Sequence, residues 1–201
     1  MMNRYFLVAV LFALLSVACR KSFDFERKDL LPPTYTSKIK YKTLGDVQVP
    51  FNKSYACDVD GDGIRDFVIN TDLIGNPFEK IDCRSYFFIG EFFTYSPVDG
   101  NEETPLLNTG DVIGEKSYIN HNWYNASHLL LIEKVITMSG NDFWRGKWKE
   151  ASHQYLAFAI KKNEKKHYAW LELSFDQNSG AIILHRAAVA EEAEKNILAG
   201  K

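Results

Sequence analysis

Cysteine is scarce in this chain: three residues in 201, at Cys19, Cys57 and Cys83. That is too few for a small disulfide-built scaffold, and no Cys/His/acid cluster has the spacing of zinc ligands. Charge of one sign is equally thin, with 24 Lys and Arg against 26 Asp and Glu and a net of −2. A nucleic-acid footprint needs a concentrated basic face, so no nucleic-acid partner is expected. The one basic run, Lys161-Lys162-Asn163-Glu164-Lys165-Lys166, lies between two strand-like segments and reads as a solvated hairpin tip. The serine-hydrolase elbow Gly-x-Ser-x-Gly is missing, and the two cysteines at 57 and 83 do not read as nucleophiles. The apolar run from Phe6 to Leu15 is too short to span a bilayer, but it has the length of a signal-peptide core and follows the positive Arg4.

What the chain does have is the stretch Asp58-Val59-Asp60-Gly61-Asp62-Gly63-Ile64-Arg65-Asp66. Its carboxylates fall at relative positions 1, 3, 5 and 9, with Gly63 at position 6 for the sharp turn. Four acidic side chains this close repel one another unless a cation sits among them. Ca²⁺ takes six to eight hard oxygens from flexible carboxylates and carbonyls, and the main-chain oxygen of Ile64 falls at position 7. An Asp/Gly-rich turn without metal is the bland alternative. Ile69 stands where an EF-hand has its bidentate Glu, and Phe67-Val68-Ile69-Asn70 is β-branched and aromatic, so the loop feeds a strand.

The motif Asp-x-Asp-Gly-Asp-Gly-x-x-Asp-Phe resembles the short calcium loops of FG-GAP and VCBS-type repeats and of thrombospondin type 3 repeats. The resemblance implies a structural Ca²⁺ held by Asp58, Asp60, Asp62, Asp66 and the Ile64 carbonyl. Those families repeat the motif and this chain carries it once, so the expectation is a single structural calcium. The leader ends in Leu15-Ser16-Val17-Ala18-Cys19, which resembles a bacterial lipobox. That implies removal of residues 1–18, lipidation of Cys19, and anchoring at the outer membrane of a cell envelope, because Arg20 rather than Asp follows the cysteine. An ordinary signal peptide cut after Ala18 is the alternative. Residues 19–45, with Leu30-Leu31-Pro32-Pro33, then read as lipidated cysteine and flexible tether, and residues 46–201 as the folded domain.

An oxidising envelope permits a Cys57–Cys83 bridge that clamps the entry of the calcium loop. Two buried thiols are the other option. Alternation marks strands at Val47–Phe51, Ser85–Gly90, His128–Thr137, Gln154–Lys161 and His167–Phe175, with Ala181–His185 completing a meander. The fold class expected is an all-β antiparallel sandwich with long loops. Ala187 to Leu198 is rich in helix formers. Its expected form is a strand to about Ala188 followed by one short helical turn. Residues 46–201 also resemble uncharacterised exported bacterial β-proteins, through the Asp-Gly loop, Pro105–Gly114 and the last meander.

No reaction is legible. Trp123, Tyr124, Trp144 and Trp148 are candidates for stacking on a sugar or another cell-surface ligand, although aromatics more often fill cores. The expected role is a non-enzymatic envelope module binding a glycan, protein or matrix. The alternative is a glycan-active hydrolase with a carboxylate pair assembled in space. Histidines at 121, 128, 153, 167 and 185 read mainly as loop and strand residues with local partners.

Overall fold

The computed structural model describes residues 37–125 and 128–201, all strand, turn and loop. Residues 1–18, read as a signal, Cys19 and most of the span read as tether lie outside those residues. Among the described residues thirteen strands follow in chain order: β1 (Ile39–Pro50), β2 (Tyr55–Cys57), β3 (Phe67–Asn76), β4 (Ile81–Gly90), β5 (Thr94–Val98), β6 (Val112–Ile113), β7 (Asn122–Tyr124), β8 (Leu129–Thr137), β9 (Phe143–Arg145), β10 (Gln154–Lys162), β11 (Lys165–Asp176), β12 (Ala181–Ala190) and β13 (Ile197–Leu198). One antiparallel sheet runs β1-β12-β11-β10-β5-β7, and a second runs β2-β3-β4-β8-β9. They pack face to face as a β-sandwich, the class expected.

The core between the sheets draws Leu156, Phe158 and Leu171 from the first and Phe67, Phe88 and Leu131 from the second. All six are fully buried, as alternating inward positions of a sandwich should be. The first sheet is also covered on its other face. Tyr155, Ala157, Trp170 and Ala188 point that way and are capped by Leu107, Ile113 and Ile197. The small pair β6–β13 supplies this third layer. Within the long connection after β5, Leu107 and Ile113 therefore serve as part of a lid on the core. Burial on both faces explains why Tyr155 to Ile160 is buried at every position despite its alternating pattern.

Three expectations are corrected. The first concerns the tail, which is strand to Ala190 and then turn, with no helical turn. Ala187, Ala188 and Val189 pair with β1 on one side and β11 on the other. Ala188 sits opposite Trp170, where a small side chain leaves room for the indole; tertiary pairing overrides propensity. The second is the start of the domain. β1 begins at Ile39, so residues 39–43, inside the span read as tether, pair with β12. Their lysines, Lys40 and Lys42, reach the acidic loop.

The third is the disulfide: Cys57 and Cys83 are both free and buried. Cys57 lies opposite Phe67 on one side of β3, and Cys83 lies opposite Ile74 on the other. Seven positions at about 3.3 Å each put them roughly 23 Å apart along the strand, against about 7 Å at most for a bridge. Burial pushes the Cys57 thiol up to about 11 and raises that of Cys83. Both are thus poor nucleophiles. Adding a reductant is expected to leave the thermal midpoint unchanged. Loss of a real bridge over this span would cost roughly 3 kcal/mol, which calorimetry resolves easily.

The Lys161–Lys166 run is a hairpin tip as expected. Lys162 pairs with Lys165, and Asn163 and Glu164 both take positive φ, the geometry of a type I′ turn.

Candidate metal centre

The acidic loop joins β2 to β3 where edges of both sheets approach. Its shape comes from its own side chains. Asp58 accepts the main-chain N–H of Gly61 (2.6 Å) and Gly63 (2.9 Å), Asp60 that of Asp62 (3.1 Å), and Asp62 that of Ile64 (2.8 Å). Gly63 has φ of +89°, a conformation that a Cβ would strain. Asp66 closes the loop by accepting Val59 N–H at 2.6 Å, while its own N–H donates to Cys57 O.

One carboxylate oxygen each from Asp58, Asp60 and Asp66 lies within 4.8 Å of the others. Two oxygens on one Ca²⁺ can be at most about 5 Å apart, twice the usual 2.3–2.6 Å bond, so this triad fits a single ion. Asp62 is outside the close group; its Oδ2 is 2.9 Å from Lys162 Nζ. Ile64, expected to offer its carbonyl, is 60% exposed as a residue. Of the four expected carboxylates, three converge and Asp62 turns to Lys162.

Electrostatics agree with a cation-seeking site. Burial pushes the Asp66 carboxyl up to about 7, and the charges of Asp60, Asp58 and Asp62 add to this, against the Val59 hydrogen bond. The Lys162 hydrogen bond and the Ile64 N–H hold Asp62 below the usual carboxylate range. Burial opposes the charge on Lys162, but Asp60 and Asp62 outweigh it and raise its pKa. Asp60 Oδ2 is buried and lacks a well-aligned hydrogen bond, although Lys162 Nζ makes an ion contact with it at 2.5 Å. Lys40 and Lys42 of β1 donate to the carbonyls of Asp60 and Asp58. Three ammonium groups thus face four carboxylates. The first sheet, through β1 and β10, is tied to a loop of the second.

Beside the loop is a hollow of about 440 Å³ lined by Ile64, Arg65, Glu91, Phe92, Phe93 and Lys162. Phe92 is 80% exposed and lies edge-on to Phe93. Asp66 O accepts Thr94 Oγ1 (2.6 Å) and Glu91 N–H (3.0 Å), so the hollow and the loop share a frame. Sequence reading missed this face because Phe92-Phe93 scans as part of a strand.

The four aromatic candidates do not form one face. Trp148 is core, 1% exposed. Trp144 packs on Phe175 and Tyr86 beside it. Trp123 donates to Gly114 O and packs on Tyr168 under the third layer. Tyr124 alone is open, 55% exposed. Two buried acids, Glu133 and Glu172, belong to different sheets and each contacts an arginine: Arg145 at 2.6 Å from Glu133, and Arg186 on Glu172. Of the histidines, His153 and His185 come together, their rings stacked at 4.0 Å. A Gly-Asp inside a strand pattern, Gly45-Asp46, is the sequence cue for the bulge beside them.

No family model, curated protein or solved structure matches this chain.

Proposed function

We propose that this chain is a calcium-braced β-sandwich module of a bacterial cell envelope, carried on a lipidated Cys19, that binds a surface glycan, protein or matrix. The observation that carries the calcium part is the convergence of Asp58, Asp60 and Asp66 oxygens within 4.8 Å at a seam of the two sheets. An ion there stabilises the folded state, because the unfolded chain has no such cage. The ligand-binding part draws on the exposed Ile64 and Phe92 beside Arg65 and Lys162, a mixed apolar and cationic hollow next to the loop. The glycan-hydrolase alternative draws less support. Its buried glutamates sit in different sheets, and despite burial, hydrogen bonds from Arg186 and His153 hold Glu172 below the usual range, unlike a general acid.

Thermal unfolding of the full chain in EDTA and in millimolar Ca²⁺ tests the calcium part. At a thousandfold excess over Kd, binding to the folded state alone adds about 4 kcal/mol. The midpoint should then rise by roughly 8–16 °C for a domain of this size. Asp60→Asn should remove that rise. Coincident wild-type curves would mean that lysines, not metal, close the loop.

A further inference from the structure

On the outer face of the first sheet, away from the acidic loop, two irregularities fall on the same rung. In β12, His185 is an extra residue between Leu184, opposite Leu173, and Arg186, opposite Glu172. In β1, three residues, Leu44, Gly45 and Asp46, stand against that one position, between Thr43, opposite Arg186, and Val47, opposite Leu184. Gly45 and Asp46 both take left-handed φ, +72° and +55°. Bulges re-aim side chains, and here they aim two chemically complementary ones. Asp46 Oδ1 lies 2.6 Å from His185 Nδ1, and His185 Nε2 lies 2.8 Å from Ser174 Oγ on β11.

The proton positions follow from the partners. A carboxylate only accepts, so Nδ1–H of His185 donates to Asp46 and Nε2 of the neutral ring is left as an acceptor. Ser174 Oγ also accepts the main-chain N–H of His153 at 2.8 Å, which directs its one hydroxyl proton at Nε2. The His153 ring stacks on His185 and is held by Glu172 at 2.8 Å, so one face of the base is braced beside the serine. Asp46 is exposed, whereas the His185 side chain is only 13% exposed. Nucleophile, base and orienting acid thus stand in the order and at the spacing that activate a serine hydroxyl.

We propose that Ser174, His185 and Asp46 form an acyl-transfer site that cleaves small, accessible esters. It is independent of the calcium reading. In acylation, Ser174 Oγ bonds to the ester carbonyl carbon and the carbon–alkoxy bond breaks. The hydroxyl proton passes to His185 Nε2 and on to the departing alkoxide, released as alcohol. Water then attacks the acyl carbon, giving its proton to Nε2. The Oγ–carbon bond breaks, the carboxylic acid leaves, and Oγ regains the proton. The net reaction is ester plus water to acid plus alcohol. General-base help of this kind contributes about 10²- to 10⁴-fold, so turnover should be slow by enzyme standards.

The test is a fluorophosphonate on the folded full chain, with the adduct mapped by peptide mass, and p-nitrophenyl acetate hydrolysis in parallel. The expected result is one adduct, on Ser174, with a nitrophenolate burst and continued turnover. His185→Gln should slow labelling at least about 100-fold, and Asp46→Asn should also slow it by leaving the base in the wrong tautomer. The proposal fails if cooperatively folded wild type carries no Ser174 adduct, if labelling is indifferent to His185→Gln, or if no turnover follows the burst. Because wild-type labelling is itself decisive, a variant that misfolds does not blunt the test.

Discussion

Phe158→Ala is expected to destabilise the domain by about 3–5 kcal/mol, the usual range for removing a buried phenylalanine. Phe158 is fully buried on β10. Its ring centre is 5.6 Å from that of Phe67 on β3 and 5.7 Å from that of Phe88 on β4. Those two stack on each other at 5.1 Å, so three rings from two sheets form one contact across the sandwich. Removing the β10 ring takes away both its transfer free energy and two aromatic contacts, and leaves a void that stiff strands cannot close. The thermal midpoint should fall by roughly 6–20 °C, at the 2–4 °C per kcal/mol typical of this size. Phe92→Ala, at an 80% exposed position, is the control and should stay within about 0.5 kcal/mol. A loss below 1 kcal/mol at Phe158 would mean that the sheets do not meet as described.

Gly146→Ala is expected to be nearly as damaging, though it adds a single methyl group. Gly146 has φ of +105°, and a Cβ there would lie 2.5 Å from Leu131 O and 3.0 Å from Ile132 Cα. Both obstacles are backbone of a buried stretch of β8, where the register with β4 already shifts. No rotamer change relieves such a clash. Backbone strain of about 1–3 kcal/mol adds to overpacking of about 1–3 kcal/mol, for a total of roughly 2–6 kcal/mol. Gly63→Ala shares the positive φ but has open space for its Cβ, so it should cost only the conformational part. Urea unfolding of the two variants separates strain from clash. Equal losses would refute the close approach at Gly146.

The contrast between these glycines shows where sequence reading stops. Gly63 was legible because the Asp spacing around it gives it a reason. Gly146 follows Trp144-Arg145 with no local pattern, and its demand comes from β8, more than ten residues earlier in the chain. Strands of the last meander were legible because their alternation is local. The second buried face of β10 was not, since Leu107 and Ile197 that cover it are remote in sequence. Lys40 and Lys42 fall in the span read as tether, and nothing local shows that they donate to the carbonyls of Asp60 and Asp58. The loop's three converging carboxylates were readable from spacing, whereas Asp46 and His185 meet across 139 positions. Only the coincidence of two bulges joins them, and a bulge in one strand has no signature in its partner.

The doubly covered β10–β11 hairpin has a consequence for the chain before its layers have docked. From Tyr155 to Ile160 every side chain is destined for burial, on one face or the other. Such a segment, β-prone and without charge or proline, is the kind that pairs with copies of itself when left uncovered. In this chain it runs directly into Lys161-Lys162, and the partner strand opens with Lys165-Lys166. Two strands in register bring these four ammonium groups to one end of the hairpin, where stacking identical hairpins would stack like charges. The basic tip thus acts as a gatekeeper, opposing intermolecular pairing of the stickiest part of the molecule until the sandwich closes over it.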